Sequence, residues 1–410
     1  MSFIAKPPAE RSYSLLLCFF LGHSVFHFLG QSFAVLLPSI QDTFLLSPIQ
    51  IGTLITVREL ATGLISLPGG MVSDYFANQR GRLLTICLLV FAFGWLIIAT
   101  APFYAVLYLG MVCIAGASAV WHLPSLVELG SRFPNKRGTV FAIHGAGGST
   151  GDIFGPIATG LLLAYYSWSN ILTIYSVLPL VLALWTYLLF RSLHLGRVEE
   201  GKQKKATVQA YSKENLKVSW DILKTTDIWL VNIVAGLRSM CFAVLITFLP
   251  LFMHDSGFSA RSIGFHFGML WAIGLLVSPF MGYLSDRYGR KIVLIPALLY
   301  SSLLIVFLAF YGHGIMFTIL LILLGFSIRS DYSLINATIM DIVKGRVENT
   351  MLGILSFSRC LMAAIAPVIA GTLYQYYGMK ATLLFVSILF LSAAIIFSFA
   401  KLEGSQSSNA

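Results

Sequence analysis

Eight ionisable side chains stand in otherwise apolar surroundings: Arg58, Glu59, Glu128, Asp152, Arg238, Arg329, Asp331 and Arg359. In hydrocarbon each costs about 2.5–3.5 kcal/mol at the bilayer centre, so they are expected to pair or to line a water-filled cavity. Arg58 and Glu59 are sequence neighbours that project about 100° apart on a helix, and different partners are expected for them. Glu128, near one end of its apolar run, either reaches the headgroup region or pairs. Arg238 lies deep in its run, where a guanidinium suits either an anionic substrate or an acid on another helix. His23 and His27 are one helical turn apart and share a face. Two such imidazoles can chelate a metal, but no third ligand is apparent, and no metal is expected. Hydrogen-bonded cavity groups or a proton relay are the competing readings. His144, Gly148 and Asp152 form an i, i+4, i+8 stripe. Asp152 there either carries a proton or closes a permanent salt bridge. No nucleophile, acid and base cluster together, so neither catalytic residues nor a cofactor are expected.

These groups need helices long enough to cross a bilayer. The chain has 410 residues, of which 57% are apolar and only 11% charged, and its mean hydropathy is +0.84. Soluble domains carry about 25% charged residues, and a soluble globule of this composition would expose large apolar patches. About 20 apolar residues span the hydrocarbon core. Twelve such runs are read, at 14–38, 51–70, 83–101, 103–129, 139–166, 168–190, 228–253, 262–284, 291–311, 315–340, 351–374 and 380–400. The first is too long for a signal peptide core and is read as a retained span. The five cysteines all lie inside apolar runs without metal or disulfide spacing. Segment 191–226 carries eight basic residues and divides the chain into lobes at 1–190 and 227–410.

The net charge of +10 is resolved by sidedness. With both termini and the linker in the cytoplasm, that side holds 21 of the 27 Lys and Arg residues, and the other face holds only Arg261 and Lys380. This bias is a topology signal, and no nucleic-acid partner is expected.

The halves repeat at a fixed offset. Gly70-Met-Val-Ser-Asp74 recurs 212 residues later as Gly282-Tyr-Leu-Ser-Asp286. Gly155-Pro156-Ile-Ala-Thr-Gly160 parallels Ala366-Pro367-Val-Ile-Ala-Gly371 at offset 211. The run Gly282-Tyr-Leu-Ser-Asp286-Arg287-Tyr-Gly289-Arg290-Lys291 resembles the signature loop of the major facilitator superfamily; in the first-half copy three extra residues precede Gly81-Arg82. Gly116 to Pro124 and Gly147 to Pro156 are similar to fosmidomycin-resistance-type efflux proteins, with Trp-His-Leu-Pro in place of Phe-His-Pro. The Gly151-x3-Gly155-Pro156 part also resembles the antiporter signature of drug-efflux members, without its usual upstream Gly.

The resemblance implies an all-α membrane protein with twelve transmembrane helices in two pseudo-symmetric six-helix lobes. It implies that the first, fourth, seventh and tenth spans line a cavity, which makes His23, His27, His122, Arg238, Arg329 and Asp331 candidate substrate-site groups. Arg58, Glu59, Glu128, His144, Asp152 and Arg359 are candidates for proton coupling or inter-lobe pairing. In the signature loops, Asp74 and Asp286 are expected to cap helices of the opposite lobe, beside Gly70, Arg82, Gly282, Arg290 and Lys291. The alternative is that these charges only anchor topology. Gly151, Gly155, Pro156 and Pro367 are read as helix-packing or bending positions. The Gly147-Gly-Ser-Thr-Gly151 match to a nucleophile elbow is rejected because it sits in mid-span.

The expected function is secondary transport of a small organic solute, an anion among the candidates, with export by proton antiport preferred and uptake of an organic anion or nutrient by symport as the competitor. A non-transporting receptor is the remaining class. The protein is expected to be a monomer in the inner membrane, with small solute, protons and lipid as its partners.

Overall fold

The computed structural model describes residues 9–194, 220–343 and 348–402. Most of the basic linker, including Lys202, Lys204, Lys205, Lys213 and Lys217, lies outside the described residues. Regular structure among the described residues is helical: α1 (Ala9–Phe44), α2 (Pro48–Tyr75), α3 (Arg80–Ala99), α4 (Tyr104–Arg132), α5 (Arg137–Leu162), α6 (Trp168–His194), α7 (Thr226–Asp255), α8 (Ala260–Tyr288), α9 (Arg290–Tyr311), α10 (Gly314–Ile328), α11 (Ser330–Val343) and α12 (Glu348–Phe399). The architecture is that of twelve transmembrane helices in two lobes, reached with two departures from one helix per span. The tenth span is broken between α10 and α11 at Arg329. The eleventh and twelfth spans are the two arms of α12, joined at Gly378, whose φ of 76° suits a residue without Cβ.

Nine helical segments among the described residues are long and apolar enough to cross a membrane, and one of them, Ile354–Phe399, is long enough for two crossings. α2 and α5 fall outside that set because small and polar residues dilute them. Both are seam helices. α2 packs on the first arm of α12, and α5 packs on α1 and α8.

Between membrane helices, close packing replaces the hydrophobic drive, so small residues mark the seams. Gly147, Gly151 and Gly155 of α5 lie at four-residue spacing, and a Cβ at each would collide with the carbonyls of Phe20, Ser24 and Phe28 on α1. Across the lobes, the Pro156 carbonyl seats on Gly264 and the Pro367 carbonyl on Gly52. Gly151, Gly155, Pro156 and Pro367 each lie at one of these close approaches. Pro48 meets Gly371, and Thr56 donates to the Ala364 carbonyl at 2.6 Å. At the loop ends, His254 lies 3.6 Å from Asp42. All these cross-lobe approaches fall between mid-span and the face distal to the termini. Toward the termini face, Tyr75 and Tyr283 are exposed, and a Cβ at Gly282 would meet nothing within 4 Å.

Candidate functional site

The glycine stripe of α5 brings His23 and His27 of α1 against His144, Gly148 and Asp152. A Cβ at Gly148 would already touch both His23 and His27, so a glycine here makes room for imidazoles. His23 Nδ1 donates to the His144 carbonyl at 2.7 Å, and the two rings stack at 4.3 Å between centroids. His27 Nδ1 is 2.8 Å from Asp152 Oδ1. From α4, His122 Nδ1 donates to its own-helix carbonyl of Ser118 at 2.7 Å. One ring nitrogen from each of His23, His27 and His122 lies within 4.8 Å of the others. The third imidazole is His122, which the sequence offered as a cavity group but not as a companion of the α1 pair. Its convergence depends on α4 packing, with Trp121 against Gly22 of α1.

Asp152 is also the place where the lobes meet electrostatically. Its Oδ2 accepts from Arg329 Nη1 at 2.9 Å, and Arg329 Nη2 donates to Ser149 Oγ at 2.6 Å. Of the two readings of Asp152, the bridge across the lobes is the one formed in this conformation. Arg329 owes its position to the break that precedes α11. A helix end leaves carbonyls without intrahelical donors, and Arg238 Nη2 supplies one to the Ile328 carbonyl. Arg238 Nε also pairs with Asp331 Oδ1 at 3.0 Å. Asp331 stands in the first turn of α11, where a carboxylate complements the helix dipole. Arg238, 8% exposed, thus sits in a pair within the second lobe that stitches the broken span together.

Among the remaining charges, one pair departs from expectation. Arg58 and Glu59 do not take separate partners: Arg58 Nη2 lies 2.7 Å from Glu59 Oε1 and Nε 3.2 Å from it. Their Cβ directions diverge, but the long side chains curl back, because the nearest countercharge in a poorly screened setting wins. Glu128 is paired. It is 2% exposed and is held by Arg132 at 2.7 Å and Arg80 at 3.5 Å. Arg359 Nη1 and Nη2 reach Asn336 and Ser356 at 3.4 and 3.3 Å.

In the signature loop, Asp286 does not cap a helix of the other lobe. It pairs with Arg290 of its own loop, whose Nε also holds Asp341 at 2.8 Å. Lys291 Nζ donates to the Ser398 carbonyl at 2.7 Å, and Arg82 Nη1 to Gln79 at 3.2 Å. Capping requires a helix end of the other lobe within reach of the carboxylate, and the Asp286 carboxylate is taken by Arg290. The side chains of Gly70 and Asp74 lie outside the described residues. A separate groove of about 450 Å³ among α8, α9 and α10 is lined by apolar groups such as Met281, Leu284 and Phe326, and holds none of these charges.

A family model described as Major Facilitator Superfamily matches residues 19–278 and 231–409. The chain is 25% identical over 394 residues to the uncharacterized MFS-type transporter YfnC of Bacillus subtilis, covering 94% of this chain and 92% of that protein. It is 29% identical over 190 residues to the multidrug resistance protein MdtG of a Rahnella species, a match covering 45% of this chain and 42% of that protein. Among solved structures, a bacterial homologue of the human lysosomal transporter Spinster, in an inward-facing and occupied conformation, superposes with a TM-score of 0.76 at 16% identity, over 95% of this chain and 96% of the other. The nucleoside transporter NupG gives 0.75 at 16% identity, over 95% and 98%. With both halves matched and the twelve-helix architecture in place, the chain belongs to the Major Facilitator Superfamily and is a multi-pass membrane transporter, not an enzyme.

Proposed function

We propose that the chain moves a small organic anion across the inner membrane by alternating access, coupled to protons, as a monomer with both termini in the cytoplasm. The observation that carries this reading is the Asp152–Arg329 bridge and its order of exposure. The side chains of His27 and Arg329 are 36% and 24% exposed, whereas Asp152 is 4% exposed behind them. A solute reaching the site from solvent meets the Arg329 guanidinium ahead of the Asp152 carboxylate, which suits a carboxylate or phosphate. An anion that takes Arg329 leaves Asp152 with less compensation, and a buried carboxylate without its partner is costly. A proton bound beside it restores neutrality, so anion and proton favour each other's binding. That linkage is the thermodynamics of co-transport.

Export by proton exchange is the second reading. It needs solute and proton to compete, hence a cationic or neutral solute that engages Asp152 itself. The likeness to multidrug resistance proteins supports it, as does the antiporter-like run in α5. The orientation rests on the Lys and Arg bias. Proteoliposomes of known orientation with an imposed pH gradient separate the two. Accumulation of a labelled organic anion in the direction of proton flow, lost in Arg329→Gln, is expected. Solute movement only against proton flow selects exchange.

A further inference from the structure

The three histidines that converge in the first lobe have a property that cavity hydrogen bonding does not require. His23 Nδ1 faces the His144 carbonyl, His122 Nδ1 the Ser118 carbonyl and His27 Nδ1 the Asp152 carboxylate, at 2.7, 2.7 and 2.8 Å. A carbonyl or carboxylate oxygen can only accept, so each Nδ1 carries the proton. Each Nε2 is left with a lone pair. This is the outer-shell arrangement that orients metal-binding imidazoles, including the carboxylate–histidine form, here supplied by Asp152. One nitrogen from each ring already lies within 4.8 Å of the others. His23 packs edge-on to His27 and to His122, at centroid distances of 4.7 and 5.1 Å.

A second observation comes from His144. It is 2% exposed, stacked on His23, and neither ring nitrogen makes a hydrogen bond of ordinary length and angle; the Phe19 carbonyl is its polar neighbour. A buried imidazole left in this condition is costly, and it lies against the ring of His23, one of the three converging imidazoles.

We propose that His23, His27 and His122 bind a divalent transition cation of the zinc, cobalt or nickel class through their three Nε2 atoms. Imidazole ligands suit these ions. At metal–nitrogen distances of about 2.0–2.1 Å, tetrahedral ligands sit about 3.3 Å apart. Starting from ring nitrogens within 4.8 Å of one another, binding requires the imidazoles to draw together, by side-chain rotation on α1 and α4. Three protein ligands leave one position open, facing the space between the lobes for water or a donor atom of a solute. All three ligands belong to one lobe, so the site survives the rocking of the other. Only its outer shell, Asp152 held by Arg329, senses that motion.

The inference stands apart from the direction and coupling of transport, because binding is read in detergent with no gradient. Tag-free protein is titrated with Co²⁺, whose four-coordinate imidazole complexes have visible d–d absorption, and then with competing Zn²⁺. One equivalent bound with that absorption and displaced by Zn²⁺ is expected. His23→Gln, His27→Gln and His122→Gln should each weaken binding at least tenfold. Asp152→Asn should weaken it by about 10–100-fold through the outer shell. His254→Gln, half-exposed at the distal face, should leave the absorption unchanged. Monodispersity on size exclusion shows which variants are folded. Absence of the absorption in the wild-type protein, or its persistence in all three folded His→Gln variants, overturns the site.

Discussion

The Asp152–Arg329 bridge makes a quantitative claim about conformation. It joins the lobes at mid-span while their distal halves are closed, and it must break if the lobes rock apart there. Two unit charges about 4 Å apart interact by about 4 kcal/mol at an effective dielectric of 20. Arg329 is 24% exposed and regains water on separation, so the net preference is smaller, about 1–2 kcal/mol, the scale of charge-assisted hydrogen bonds. Since 1.4 kcal/mol is tenfold, Asp152→Asn should move the distal-closed to distal-open ratio by about 5–30-fold. Arg329→Gln should do the same. The double variant should move it no further than the larger single change, because both remove one interaction. Spin labels at Leu45 and Tyr376, both well exposed on the distal face of opposite lobes, report the ratio by pulsed electron resonance once the native cysteines are replaced. Unchanged distance distributions in both single variants, or simple addition in the double, would refute the reasoning.

Further outcomes follow from the same geometry. Gly151→Ala places a methyl group on the Ser24 carbonyl, whereas a Cβ at Gly145 meets nothing within 4 Å. Overpacking costs about 1–3 kcal/mol, so Gly151→Ala should lower the melting temperature in detergent and Gly145→Ala should not. Arg238→Gln strips a buried partner from Asp331, a loss of about 3–5 kcal/mol; a combined Arg238→Met, Asp331→Leu variant should recover most of the thermal stability, though not transport. The Asp286–Arg290 pair has one side chain 69% exposed, and exposed pairs contribute about 0–1 kcal/mol. Asp286→Asn should therefore leave the melting temperature nearly unchanged while altering transport rate, and an unaltered rate would assign the loop to topology alone.

The helical spans were legible because hydrocarbon imposes length and apolarity together, and only helices satisfy their backbone there. The interruption at Arg329 was not. No proline or glycine occupies the position, and the apolar run Ile315–Ile328 followed by Arg329 reads like an uninterrupted span with polar groups near its end. What stabilises the break is Arg238, 90 residues away in sequence from the carbonyl it serves. The bridge from Asp152 to Arg329 spans 177 residues, so the sequence left its two readings open. His23 and His27 declared themselves by local spacing, but His122 joins them only through the packing of α4. Arg58 and Glu59 show the opposite limit: helix periodicity gives the direction of Cβ, not the reach of a flexible side chain.

The distal seams include glycine faces set against main-chain carbonyls, as where Pro156 meets Gly264 and Pro367 meets Gly52. Those carbonyls face a partner with nothing to interlock, so the surfaces behave as smooth bearings rather than as meshed gears. Parting them uncouples few side chains and requires little repacking within either lobe. The barrier to opening is then concentrated in a handful of discrete polar latches, which makes the timing of the cycle responsive to whatever small ligand or ion reaches them.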